Sequence, residues 1–107
     1  MSTGPIDDKT SKAALSPSDV ARRIATICNQ RGLHARAAAR FVKTAGQFDA
    51  EVLVRKNGTE VSGRSIMGLM MLAAAPGTVI ELVATGRQAE AAVTALTKLI
   101  ECKFDEE

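Results

Sequence analysis

The chain has 107 residues, of which 46% are hydrophobic, and its formal net charge at pH 7 is +2. This length predicts one domain with a modest core, and the small charge argues against a large electrostatic surface for polyanions. Three Phe without any Trp or Tyr argue against nucleic-acid binding by base stacking. Neither a membrane-spanning apolar stretch nor the apolar core of a signal peptide is present in the sequence. We therefore expect a cytoplasmic protein without membrane insertion.

The first half of the chain predicts an extension, a strand and a helix. Residues 1–20 are polar and contain two of the three prolines, so we expect a flexible extension before a compact domain over residues 21–107. Alternating apolar residues at 23–28 predict a strand. Residues 35–45 have helical spacing, and Gly46 is a plausible helix stop.

The second half predicts a hairpin followed by alternating helices and strands. Asn57-Gly58 is the strongest hairpin signal, because that turn needs positive φ at both positions. The predicted elements are a strand, its returning strand, a short apolar helix, a further strand and a last amphipathic helix, at 50–56, 59–62, 65–72, 78–85 and 88–100. The order β-α-β-β-α-β-α predicts an α+β two-layer sandwich, in which helices pack on one face of an antiparallel sheet.

The only histidine, His34, lies between a glycine-bearing loop and the first predicted helix. Backbone N–H groups at a helix start lack intrahelical acceptors, and together with the helix dipole they favour a phosphate. Arg36 adds a fixed charge and donors that match phosphate oxygens. A neutral imidazole is a competent nucleophile near pH 7, so the pattern suits a histidine that carries a phosphoryl group. An ordinary surface or capping histidine has the same pattern, and the spacing alone does not decide between them.

Other chemistry for His34 is less well supported. A second histidine is absent, which excludes a multi-histidine metal site, and Cys28 and Cys102 lack metal or CxxC spacing. Cys28 falls in the apolar strand pattern, so we expect it in the core rather than paired with His34 in catalysis. No paired acid or second nucleophile stands near His34 in the sequence, which argues against an independent hydrolase. We expect neither a metal nor a cofactor.

Two segments resemble the signatures of one family. GLHARAA at 32–38 resembles the active-site signature of HPr, the histidine-containing phosphocarrier of the phosphotransferase system. RSIMGLMML at 64–72 resembles the second signature, around the family's regulatory serine, and the interval between the two matches as well. The resemblance covers roughly residues 22–105. It implies the open-faced β-sandwich, a four-stranded antiparallel sheet with three helices on one face.

Smaller segments resemble a branch of that family. FDAEVLV, ELVATG and FDEE, at 48–54, 81–86 and 104–107, resemble the nitrogen-related branch called NPr, whereas RSIMG resembles ordinary HPr. The chain is therefore similar to HPr-like proteins of proteobacteria with a reduced, regulatory phosphotransferase system. We expect a nitrogen-related regulatory role, with sugar uptake as the open alternative.

The resemblance also implies residue roles. His34 matches the phosphorylated histidine, which in the family uses Nδ1, and Arg36 matches the arginine that contacts the phosphoryl group. Ser65 matches the serine modified by HPr kinase/phosphorylase, although a serine that opens a short helix is equally well explained as an N-cap. The family usually has proline where this chain has Ala37. We expect small changes in the geometry or lability of phosphohistidine from this difference, and no loss of function.

A third set of residues matches the family's apolar docking patch. Ala39, Met67 and Met70 match it, whereas Leu69 and Leu72 are expected in the core. Methionine suits a surface that fits several partners in turn. The implied partners are enzyme I as donor, an enzyme IIA-type acceptor and, where present, HPr kinase/phosphorylase. The implied protein is a monomeric carrier rather than an independent turnover enzyme. The alternative is a regulatory protein-binding module whose phosphorylation state controls its partners.

Overall fold

The computed structural model describes residues 20–105, so nearly all of the predicted extension at 1–20 lies outside the described residues. The elements are β1 (Val20–Thr26), α1 (Ala35–Ala45), β2 (Glu51–Lys56), β3 (Thr59–Ser62), α2 (Ile66–Met71), β4 (Val79–Thr85), α3 (Ala89–Glu101) and a terminal 3-10 turn (Lys103–Asp105). The order β-α-β-β-α-β-α is the predicted one. None of the helices in the described range is both long and apolar enough to cross a bilayer.

The four strands form one antiparallel sheet in the order β1-β4-β2-β3. β4 is central: it pairs with β1 from Val20↔Thr85 to Thr26↔Val79, and with β2 on its other side. The hairpin between β2 and β3 turns at Asn57 and Gly58, whose φ angles are +47° and +83°, as the sequence predicted. The predicted α+β sandwich is confirmed.

One face of the sheet is buried and the other is open. Inward residues of β2 and β4 join the side chains of α1 and α3 in one apolar core, with Val52, Val54, Ile80, Leu82, Phe41, Leu96 and Ile100 all at 0 or 1% exposure. The open face carries ion pairs. In two of them, Nε of Arg55 lies 3.0 Å from Oε1 of Glu60, and its Nη1 lies 3.7 Å from Oε1 of Glu81. Such exposed pairs each contribute less than about 1 kcal/mol, so burial of the inner face dominates the stability.

The sequence misplaced the first strand. β1 begins at Val20 rather than at residue 23 and ends at Thr26. The prediction that Cys28 belongs to the core is wrong, because side chains continue to alternate past the end of the strand, so that Ile27 and Asn29 are buried and Cys28 between them is not. Cys28 is exposed, and its thiol donates to the carbonyl of Ile100 at 3.3 Å.

The chain after α3 folds back against α1. Phe104 is fully buried, although Lys103, Phe104 and Asp105 have φ values of +57°, +57° and +60°. Each such left-handed residue costs roughly 1–2 kcal/mol, which the burial of the Phe104 ring offsets in part at about 1.5–3 kcal/mol. The turn places Oδ2 of Asp105 3.6 Å from Nη1 of Arg40 on α1, so the end of the described chain lies beside the first helix.

Candidate functional site

His34 occupies the N-cap position of α1. Its backbone is extended, with φ −76° and ψ 179°, and its side chain does not cap the helix by a hydrogen bond. The first intrahelical hydrogen bond runs from Ala38 N–H to His34 C=O at 2.8 Å. The N–H groups of residues 35–37 therefore have no intrahelical acceptor. The half-buried imidazole lies at a helix start with a preference for anions.

The loop before His34 is packed closely against the segment that follows α2. Gly32 has φ +68°, and a Cβ built there would lie 2.4 Å from the carbonyl oxygen of Ala74. Leu33 N–H donates to that same oxygen at 3.0 Å, and His34 N–H donates to Gly32 C=O at 2.9 Å. A glycine is needed because both the φ angle and the close approach exclude a side chain. The loop and the segment after α2 thus form one backbone unit around His34.

Arg36 is exposed in the first turn of α1, beside a cationic groove. The groove has a volume of about 820 Å³, and its basic lining residues are Arg31, Arg36, Arg40 and Lys103. Asp105 also lines it, and this carboxylate pairs with Arg40. Positive charge concentrated in a groove raises the local concentration of anionic ligands and acidic surfaces.

The sequence did not identify three of these four basic residues. Arg31 and Arg40 lie within six residues of His34 in the sequence. The four-residue spacing of Arg36 and Arg40 places both on one face of the helix. That spacing was a usable signal. No signal in the sequence pointed to Lys103, which is far from His34 in the chain. It lines the groove because the neighbouring Phe104 is buried in the core.

Ser65 is the N-cap of α2. Its Oγ accepts a hydrogen bond from Gly68 N–H at 2.9 Å, which is the N-cap role that the sequence left open. A Cβ on residue 68 would lie 3.1 Å from that Oγ and 3.2 Å from Cβ of Val61. Gly68 therefore makes room for the cap at some cost in helix propensity.

The α2 surface, defined here as Ile66, Met67, Met70 and Met71, is the main exposed apolar patch of the domain. These side chains are 41%, 71%, 42% and 77% exposed, while Leu69 and Leu72 are buried as predicted. Ala39 is exposed on α1, which contacts α2. Four large exposed apolar side chains on a helix of six residues are a pattern typical of interaction sites. Ile66 and Met71 were not among the docking residues predicted from sequence.

Lys56 joins α2 to the hairpin. Its Nζ donates to the carbonyls of Leu72 at 2.9 Å and Ala73 at 3.4 Å, where the last carbonyls of a helix lack intrahelical donors. The next residue, Ala74, is the acceptor for the loop before His34. These hydrogen bonds therefore connect the end of α2 to the loop of His34 and fix their relative positions. The sequence contained no local signal for the contact of Lys56 with the end of α2.

An open-faced sandwich with a histidine and an arginine at the start of its first helix defines the class of small histidine-containing phosphocarriers. The family model described as "PTS HPr component phosphorylation site" matches residues 21–102. The chain belongs to the HPr family of the phosphotransferase system, and it is a phosphocarrier of that system.

Individual relatives agree with this assignment. The chain is 58% identical to the phosphocarrier protein HPr of Neisseria meningitidis serogroup A over 80 residues, 75% of this chain and 90% of that protein. It is 43% identical to the phosphocarrier protein NPr of Shewanella violacea over 84 residues, 78% and 92% of the two chains. The crystal structure of HPr-C-His from Thermoanaerobacter tengcongensis superposes with a TM-score of 0.78 at 45% identity, covering 81% of this chain and 98% of that one.

Proposed function

We propose that His34 accepts a phosphoryl group from phosphorylated enzyme I and passes it to an enzyme IIA-type protein. The observation that carries the proposal is the position of His34 at the N-cap of α1, with an imidazole that does not cap the helix and N–H groups without intrahelical acceptors beside it. In the transfer, the Nδ1 lone pair attacks phosphorus, the N–P bond forms and the bond from phosphorus to enzyme I breaks. The group leaves His34 for the acceptor by the same exchange.

Arg36 is the residue that we assign to the phosphoryl oxygens. Its guanidinium is exposed in the first turn of α1, two residues after His34, and its fork of donors matches a phosphoryl group. The groove beyond it, with Arg31, Arg40 and Lys103, attracts the acidic surface of an approaching partner and speeds the encounter.

Partner proteins dock, in our proposal, on Ala39, Met67 and Met70 together with the rest of the α2 surface. A carrier meets its donor and its acceptor in turn, so one surface has to fit both and release both. Flexible methionine side chains can repack against different partners. The small exposed area of α2 supports binding that is moderate and quickly reversed.

Ser65 is the regulatory phosphorylation site of this proposal, modified by HPr kinase/phosphorylase where that enzyme exists. The hydroxyl is at the start of α2, where a phosphate is tolerated by the backbone N–H groups. It adjoins Ile66 and Met67 of the α2 surface. A phosphate there places about two negative charges at the edge of an apolar docking patch, which would oppose docking.

We place the protein in a regulatory, nitrogen-related phosphotransferase system, a view supported by the 43% identity to NPr. The phosphocarrier domain is residues 21–107 in this proposal, preceded by an extension at 1–20, and it acts as a cytoplasmic monomer. The competing function is a binding module that controls partners through its phosphorylation state. The exposed α2 surface favours that alternative equally, because it needs no transfer from His34.

The test is phosphoryl transfer from radiolabelled phosphoenolpyruvate through cognate enzyme I, with wild type, His34→Ala and Arg36→Ala. We expect an acid-labile, base-stable label on wild type, none on His34→Ala, and slow labelling of Arg36→Ala. Circular dichroism should show that both variants fold, because His34 and Arg36 contribute little to the core. Label on His34→Ala would refute the assignment of the phosphoryl group to this residue. If enzyme I is active and wild type takes up no label, the phosphocarrier proposal is refuted and the binding module is the function that stands.

A further inference from the structure

Asn29 has an unusual environment for its side chain. Among residues 20–105 it is the one polar or charged residue in the buried class, at 0% exposure. Burial of an amide costs free energy unless the group is hydrogen-bonded. Its Nδ2 donates to the carbonyl oxygen of Gly32 at 2.8 Å. The bond to the loop that leads to His34 therefore satisfies the buried Nδ2 donor, at the wall of the cationic groove that Asn29 also lines.

The acceptor of this bond is shared with the backbone of His34. His34 N–H donates to Gly32 C=O at 2.9 Å, and Gly32 N–H donates back to Asn29 C=O at 3.2 Å. The Asn29 side chain thus holds the peptide to which the N-cap residue itself is bonded. On the other side, the Leu33 N–H is held by Ala74 C=O. Without the Asn29 donor, the Gly32 carbonyl keeps its bond from His34 N–H but loses its side-chain anchor.

We propose that Asn29 is a positioning residue for phosphoryl transfer, acting through the Gly32 peptide on the backbone of His34. The imidazole and the first-turn N–H groups of α1 have to face the same phosphorus position, and both depend on the His34 backbone at the N-cap. A fixed Gly32 peptide keeps them aligned before the partner docks. The inference rests on the proposed role of His34 as the phosphoryl acceptor.

The test uses Asn29→Leu, which keeps the branched shape of the side chain and removes the donor. The matched control is Thr97→Val, because the Thr97 Oγ1 on α3 is a buried polar atom without a hydrogen-bond partner in the described chain. The rate of transfer from phosphorylated enzyme I is measured by rapid quench at several carrier concentrations and corrected for the folded fraction, which separates kcat from KM.

We expect kcat of Asn29→Leu to fall about 10- to 100-fold, the loss typical of a misplaced reacting group, with KM unchanged because the α2 surface is intact. Thr97→Val should keep both constants.

A measurement on the wild-type protein covers the case in which Asn29→Leu does not fold. Hydrogen exchange of side-chain amides, followed by NMR, should be slow for Asn29 and fast for the exposed Gln47. Equal exchange at the two residues would overturn the proposal, and so would a kcat of folded Asn29→Leu equal to wild type. Absence of label on wild-type His34 would instead refute the proposed function, so the two failures are distinguishable.

Discussion

Replacement of Gly32 by alanine tests the packing of the His34 loop. At φ +68° an alanine costs roughly 1–2 kcal/mol in backbone strain. Its Cβ would lie 2.4 Å from Ala74 O, a backbone atom, so the two segments must separate and the Leu33 N–H loses its acceptor. A buried donor left without a partner costs about 1–3 kcal/mol. The sum is about 2–5 kcal/mol, a large part of the roughly 5–15 kcal/mol that stabilises a typical domain.

The chain supplies controls that separate the two contributions. Gly58 has φ +83°, and the position that a Cβ would take there has no other atom within 4 Å, so Gly58→Ala tests backbone strain alone. Gly63 has no left-handed φ, but a Cβ there would lie 2.9 Å from Val52 Cγ1, so Gly63→Ala tests crowding alone. The assay is urea unfolding followed by far-UV circular dichroism, since the chain lacks Trp and Tyr.

We expect Gly32→Ala to lower the free energy of unfolding more than either control does. Phosphoryl transfer by the folded fraction should also fall for Gly32→Ala, because the displaced loop carries His34, and it should persist for Gly63→Ala. If Gly32→Ala were no more destabilising than Gly58→Ala, the close approach of Gly32 to Ala74 would be refuted. Normal transfer by folded Gly32→Ala would contradict the coupling between the loop and His34.

Two further changes test the ends of α2. Ser65→Ala removes the acceptor for Gly68 N–H and should lower the free energy of unfolding by about 0.5–2 kcal/mol; an unchanged urea midpoint would contradict the cap. Lys56→Met removes the donor to Leu72 C=O and should cost about 0.3–1 kcal/mol, with faster amide hydrogen exchange confined to α2. Lys98→Met, an exposed lysine in the last turn of α3, is the control and should leave α2 exchange unchanged. Equal exchange in the two lysine variants would show that Lys56 does not hold the helix.

Local periodicity was sufficient for most of the fold. The bounds of α1 and β3 agree with those predicted, because helical spacing ends at a glycine in one case and the Asn57-Gly58 turn defines the register in the other. The start of β1 was missed because Arg22, next to Arg23 at the predicted start, interrupts the apolar pattern after Val20 and Ala21. Both arginines pair across the structure, Arg22 with Glu81 and Arg23 with Glu90, and charged residues are usual on an edge strand.

Candidate site residues could be predicted from the sequence only in its linear motifs. His34, Arg36 and Ser65 stand in the two segments that resemble the family signatures, whereas Lys56 and Lys103 contribute through contacts made by residues distant in sequence. Lys56 bonds Leu72, which is 16 residues away. Asn29 bonds a residue only three positions away, but its burial depends on the packing of the whole domain. Contacts of this kind depend on tertiary structure and leave no periodic pattern in the local sequence from which they could be predicted.

The pairing of β1 with β4 has a consequence for the order in which the molecule is built. Ile27 exchanges backbone hydrogen bonds with Gly77 and Thr78 at 2.7 and 2.9 Å, and Leu33 bonds Ala74, so the loop of His34 is completed only by residues about 40 to 50 positions later in the chain. Contacts of such separation form late, after the entropy of closing a long loop has been overcome. A nascent chain still lacking β4 would therefore expose the signature segment without its geometry. We expect phosphorylation of His34 to begin only once synthesis has passed β4, α3 and Phe104, whose side chains complete the core, so that the phosphorylated form would report completed folding.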